Sequence, residues 1–314
     1  MGKGTTKGIA GRSGRCLLLL LILGNFMGIA QQEPQFTQYM YNPMGVNPAY
    51  AGTQGELAAI LMHRSQWVGI NGAPNTQILA IDAPLREKVG LGGVLIHDVL
   101  GPASEISLDA NLSYTIQLDS TGNKLSFGLR VGARLFDVDF SKGLMENPDA
   151  AFQDNIESKI FPGMGAGIYY HSAKGYIGFS VPDFFSQKHF DGEQQMIASE
   201  RMHYYLFGGR NFDISSVVVL RPGIFVKWVP GAPMIADFSV TALLKETFTV
   251  GMAYRWDDSF AVLLGMRINQ ALSAGYAYDL TSSNLGSYTG GSHEIFLKYS
   301  FGPSRKGPAD ITKL

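Results

Sequence analysis

From Glu105 to Leu118, fourteen consecutive residues alternate without a break between apolar and polar side chains. The even positions are Ile106, Leu108, Ala110, Leu112, Tyr114, Ile116 and Leu118. The odd positions are Glu105, Ser107, Asp109, Asn111, Ser113, Thr115 and Gln117. A period of two sends the two sets to opposite faces of a strand, and an amphipathic helix cannot produce it. Leu125–Leu135, Phe248–Trp256, Phe260–Ile268, Leu272–Leu280 and His293–Phe301 repeat the pattern.

The full reading places strands near 56–64, 75–83, 89–97, 105–118, 124–136, 162–170 and 176–181. It continues with 201–210, 216–227, 236–244, 247–256, 259–268, 271–280 and 291–301, an even total of fourteen. The connections form a second pattern. Pro84–Lys88, Asp119–Asn123, His171–Gly175, Asn211–Ser215, Lys245–Glu246 and Asn269–Gln270 are short. Between them come mostly longer segments: 65–74, 98–104, 137–161, 182–200, 228–235 and 281–290, with Asp257–Asp258 as the short exception. Alternation of short turns and long loops is the habit of an outer-membrane barrel with its termini in the periplasm. A soluble sandwich has no reason to alternate in this way.

Composition points the same way. Hydrophobic residues make up 46% of the chain and charged residues 16%, with 38 glycines and 14 tyrosines. After residue 30, no apolar run is long enough for a transmembrane helix, which needs about 20 residues. A closed sheet satisfies every backbone polar group in lipid without helices. The expected fold is therefore all-β: a transmembrane, antiparallel, up-and-down barrel of about 14 strands spanning 56–301. Its apolar face meets outer-membrane lipid, and its polar face lines the lumen. Leu112→Arg is then expected to be far more damaging than Asn111→Arg. Tyr169, Tyr176, Tyr204, Trp228, Tyr254, Trp256, Tyr278 and Tyr299 fall near strand ends, where interface girdles form.

The first thirty residues read as a secretory signal. Lys3, Lys7, Arg12 and Arg15 form a positive start, Leu17–Met27 an apolar stretch, and Gly28-Ile29-Ala30 a small-residue cleavage site. Cys16 precedes the apolar stretch, so it is misplaced for lipid anchoring. Cleavage removes this single cysteine and four positive charges, taking the formal net charge from −1 to −5. An acidic mature chain argues against nucleic-acid binding, which calls for a basic stripe. At the other end, 302–314 is a polar tail.

No constellation points to an enzyme, a cofactor or a metal. Gly163-x-Gly165-x-Gly167 sits inside an alternating strand, whereas a phosphate loop opens a helix. The six histidines show no zinc-type spacing and read as lumen or loop residues. His171-Ser172 and Ser292-His293 are neighbours along a strand and so point to opposite faces, unlike a catalytic dyad. Asp137, Asp139, Glu146, Asp149, Asp154 and Glu157 make 137–161 acidic without a calcium-loop spacing, so a solvated loop is expected.

The N-terminal coil, 31–55, is the least ordinary segment. Two Asn-Pro steps, Asn42-Pro43 and Asn47-Pro48, favour turns and disrupt helices and central strands. Tyr39, Tyr41 and Tyr50 add aromatic bulk, so the coil is expected to pack on something, as a lumen plug or as a partner-binding segment.

The run Gln35–Gly52 resembles the N-terminal signature of the PorP/SprF family, outer-membrane barrels of the type IX secretion and gliding machinery. The resemblance continues in Arg64-Ser-Gln-Trp-Val-Gly69, Gly72-Ala-Pro74 and Asp82-Ala-Pro-Leu85. It resumes in Gly275-Tyr-Ala-Tyr-Asp-Leu280 and closes in Gly291-Ser-His-Glu-Ile295. It implies a non-enzymatic role beside other type IX components, exporting an adhesin or holding it at the surface through the adhesin's C-terminal domain. The competing reading is a passive pore or solute channel, with loop 137–161 folded inward as a constriction.

Overall fold

A computed structural model describes residues 35–142, 155–185 and 201–302. The proposed signal, residues 31–34, 143–154 and 186–200, and the tail beyond 302 lie outside the described residues. Fourteen strands close into one antiparallel barrel. They are β1 Ala58–Ser65, β2 Asn75–Arg86, β3 Val89–Leu100, β4 Ala103–Gln117, β5 Lys124–Val138, β6 Ile156–His171 and β7 Gly175–Val181. Next is β8, built of Tyr204–Arg210 and Phe212–Ser215, followed by β9 Val218–Trp228, β10 Ile235–Leu244 and β11 Phe248–Arg255. Then come β12 Ser259–Arg267, β13 Leu272–Thr281 and β14 Ser292–Ser300. The two pieces of β8 both pair with β9 and part at Asn211, whose N–H turns to the carbonyl of Lys174. Closure comes from β14 on β1, with Ala58 opposite Ser300 and Ser65 opposite His293.

The short turns carry their own logic. Between β10 and β11, Lys245 and Glu246 both have positive φ (49° and 55°), and Thr247 N–H reaches the Leu244 carbonyl at 3.0 Å. This mirror-image turn matches the right-handed twist of the strands it joins. In the turn between β4 and β5, the Asp119 carboxylate accepts the N–H groups of Thr121 and Asn123 at 2.9 and 3.1 Å. Hydrogen bonds from the side chains of Thr121 and Asn123 hold its pKa down to about 2.

Two long connections are shorter than the sequence implied. The strands β3 and β4 run on to Leu100 and from Ala103, leaving only Gly101 and Pro102 between them where 98–104 read as a loop. The strand β6 begins at Ile156 and not near 162, because Phe136, Val138 and Ile156 bury one another there.

The alternation appears as two faces. Ile106, Leu108, Leu112, Tyr114 and Ile116 stand on the outer wall, while Ser107, Asn111 and Ser113 are buried inside. The inner face, however, is not uniformly polar. Ile60, Met62, Ile78, Val94, Phe207, Phe225 and Phe296 are buried within the barrel. Tyr169 and Tyr176, expected in an interface girdle, also point inward and are buried. Trp228, Trp256 and Tyr299 do face outward. His63, His97 and His293 lie on the outer face too, not in the lumen or loops as the sequence implied. His97 contacts Gln77 at 2.7 Å and His293 contacts the Tyr276 hydroxyl at 2.7 Å. Apolar residues line the lumen because the barrel encloses a piece of its own chain.

Candidate functional site

Residues 35–52 lie inside the barrel. The two Asn-Pro steps make them a series of single 3-10 turns, Tyr39–Tyr41, Pro43–Gly45 and Pro48–Tyr50, which no strand ladder could incorporate. Each proline occupies the first position of its turn, where its missing N–H costs nothing. Asn47 does the most local work. Its side-chain oxygen accepts Ala49 N–H at 2.9 Å, while its amide donates to the carbonyls of Ile168 and Phe179 at 3.0 and 3.3 Å. Tyr39 packs on Phe225 with centroids 4.8 Å apart, Tyr41 on Phe296 at 4.4 Å, and Tyr50 edge-on to Tyr169 at 5.4 Å. Asn42, Pro43 and Pro48 are buried with them. All seven residues singled out from sequence thus share one enclosed site.

The segment has a direction. At its start, Gln35 donates to Asp237 at 2.7 Å, and Thr37 donates through its N–H to Glu294 at 2.6 Å and through its hydroxyl to Asp279 at 2.7 Å. Gln38 N–H adds a second donor to Glu294 at 3.1 Å. These acidic residues sit at the strand ends that border 229–234 and 282–291, on the long-loop side. At its finish, the carbonyl of Ala51 accepts from Ser113 at 2.6 Å and Gly52 N–H donates to Asp82 at 3.0 Å, beside the short turn between β2 and β3. The chain therefore crosses the lumen from end to end before it turns into β1. Ala58 and Ser300 meet at the short-turn end, as expected of the termini, but Gln35 lies at the opposite end.

Arginines hold the crossing in place. Arg64 bridges Asp279 at 2.8 Å and also contacts Glu294. Arg255 grips Asp237 with two bonds, 2.9 and 3.1 Å, in the paired geometry a guanidinium favours. Midway, Arg130 donates to the carbonyls of Met44 and Gly45 at 2.6 and 3.1 Å, and to Asn111 at 2.9 Å. Wall glycines provide the room. A Cβ at Gly128 would lie 2.1 Å from the Ala49 nitrogen, and one at Gly90 2.0 Å from the Ala51 oxygen. Gly165 and Gly167 similarly lie against Pro182 and Asn47, so the Gly-x-Gly-x-Gly run of β6 is a thinned wall.

The residues that fasten the segment were not singled out from sequence. Four of them, Arg64, Asp82, Asp279 and Glu294, lie within the blocks that carry the family resemblance, so a signal was present. Among the described residues, no group of three His, Cys, Asp or Glu side chains is arranged to hold a metal.

The family model described as "Type IX secretion system membrane protein PorP/SprF" matches residues 28–299. The chain belongs to the PorP/SprF family. Its structure is similar to the CymD monoaromatic hydrocarbon channel, with a TM-score of 0.50 and 13% identity over 89% of this chain and 97% of that one. It is also similar to the Ralstonia pickettii toluene transporter TbuX, with a TM-score of 0.49 and 8% identity over 83% and 92%. A Pseudomonas aeruginosa FadL homologue matches with a TM-score of 0.46 and 10% identity over 86% and 95%. At such identities the likeness extends to the barrel fold alone. No curated protein sequence matches the chain. As a PorP/SprF protein, it is an outer-membrane barrel that contacts lipid and works among type IX secretion components.

Proposed function

We propose that this PorP/SprF barrel is a non-enzymatic component of type IX secretion and gliding. It helps export an adhesin-type cargo, or retain it at the surface, by binding the cargo's C-terminal domain. The chain is exported through a signal, 1–30, that is cleaved after Ala30. Coil 31–55, barrel 56–301 and tail 302–314 follow, with the long loops outside. Family membership across residues 28–299 carries this reading. The thread across the lumen supports it against a passive pore. A diffusing solute would have to displace a segment held by Glu294, Arg130 and Asp82 and packed on Phe225, Phe296 and Tyr169.

The test is deletion of the barrel, followed by measurement of adhesin at the cell surface and of ion conductance by the purified barrel in planar bilayers. Loss of surface adhesin with a quiet bilayer is the expected result. Normal adhesin display in the deletion strain, with steady open-channel conductance, would replace this reading with the channel.

A further inference from the structure

A polypeptide that crosses a membrane inside a barrel carries its upstream end to the far side. The first described residue, Gln35, donates to Asp237 at the start of β10, and Thr37 is fixed to Asp279 and Glu294 at the same rim. Seventeen residues after Gln35, Gly52 is bound to Asp82 near the opposite rim. The contacts between these points follow in order down the lumen. They run from Tyr39 on Phe225 to Arg130 on Met44, Asn47 on β6 and β7, and Ala51 on Ser113.

Cleavage after Ala30 leaves four residues, 31–34, ahead of Gln35. Fully extended, four residues span at most about 14 Å. A wall strand such as β4 has 15 residues. At about 3.3 Å per residue it is roughly 50 Å long, which a tilt near 40° reduces to roughly 38 Å of barrel height. Whatever path 31–34 follow, they cannot return to the short-turn rim.

We infer that signal cleavage leaves the mature amino terminus at the long-loop mouth, with residues 35–52 as the thread that carries it through the barrel. With the long loops outside, this end is at the cell surface. A molecule that meets the start of the thread therefore meets it from outside, not from the periplasm. The inference rests on the cleavage and orientation proposed above, but not on the identity of any cargo.

The mature chain has no cysteine, because Cys16 lies in the signal. Single cysteines therefore report location in native membranes. Glu33→Cys, with Gln32→Cys as a second variant, marks the amino end. Tyr288→Cys marks the long-loop rim, where Tyr288 is 77% exposed, and Asp119→Cys marks a short turn. Each is treated with a membrane-impermeant maleimide on intact cells and again after lysis, and the mature protein is sequenced from its amino end.

The expected result is labelling of positions 33 and 288 on intact cells to a similar extent, with position 119 labelled only after lysis and a mature chain beginning at Gln31. If positions 119 and 33 both label only after lysis while 288 labels before, the threading is wrong. Labelling of 33 and 32 only on denaturation would place the end within the lumen and also overturn the inference, as would a mature chain starting well upstream of Gln31. If 119 labels on intact cells and 288 does not, the surface assignment is overturned and the barrel is inverted. None of these readouts depends on secretion, so failure of the adhesin reading is seen separately.

Discussion

The buried carboxylate of Glu294, in the last strand, accepts the backbone N–H of Thr37, which precedes the first strand, at 2.6 Å. Residues 257 apart in sequence are thereby joined within the barrel. Glu294 also contacts Arg64 of β1, so a single side chain reaches the thread and the strand that closes the barrel against its own. A loose plug would need no such arrangement.

Removing that carboxylate should therefore loosen thread and closure together. Glu294→Ala leaves Arg64 with Asp279 and strands two backbone N–H groups. Breaking a buried ion pair from one side costs about 3–5 kcal/mol. Glu87→Ala, in the exposed turn between β2 and β3, should stay within about 0.5 kcal/mol of wild type. Urea unfolding of the refolded barrel, followed by heat-modifiable gel mobility, measures both. Equal midpoints for the two variants would remove Glu294 from its anchoring role.

A second prediction concerns the space left by glycine. In Gly128→Val the new Cβ meets backbone, 2.1 Å from the Ala49 nitrogen and 2.4 Å from its Cα, so the turn at Pro48–Tyr50 must move. Overpacking of this kind costs about 1–3 kcal/mol. Gly93 faces outward and its Cβ would find nothing closer than 3.9 Å, so Gly93→Ala should be silent. Limited proteolysis near Tyr41–Tyr50 should cut the Gly128 variant first. Equal resistance in both would show that the thread does not press on the wall there.

The outer face yields a third. Leu112 stands on the wall, and an arginine there should cost roughly 2–4 kcal/mol near the bilayer midplane. Leu112→Met should be close to neutral. Alternation alone implies that Asn111→Arg is mild, but Asn111 is fully buried and accepts from Arg130 at 2.9 Å. A second guanidinium there has nowhere to go, so Asn111→Arg is now expected to lower folding too. Folding yield into vesicles is the measurement. If Leu112→Arg folds as well as Leu112→Met, residue 112 does not face lipid.

The contrast at 111 and 112 shows how far the sequence could be read. Period two is a property of neighbouring residues, so Glu105–Leu118 revealed its strand and its faces directly. What fills the lumen is a long-range property. Tyr169 and Tyr176 lie near strand ends and read as a girdle, yet they turn inward around Tyr50 and Phe207. An aromatic has the same strand preference on either face, so local pattern cannot separate the two. The coil's need for a packing surface was legible in Asn42-Pro43 and Asn47-Pro48. Its direction across the barrel was not, because that depends on Thr37 meeting residues near the opposite end of the chain.

The last prediction separates a thread that only packs from one that also binds. Tyr41 and Tyr50 are both nearly fully buried, against Phe296 and Tyr169. Truncating a buried aromatic to alanine typically costs about 3–5 kcal/mol. Ordering an irregular segment also costs backbone entropy, which these contacts must offset. The double variant Tyr41→Ala/Tyr50→Ala should therefore reduce the amount of folded, heat-modifiable barrel, and adhesin at the surface should fall in the same proportion. Tyr41→Phe, which keeps the ring packed on Phe296, should retain most of both. The proportionality is the decisive quantity. Folded barrel at wild-type level with adhesin display lost would mean that these rings are used by a partner and that their contacts with the wall are dispensable.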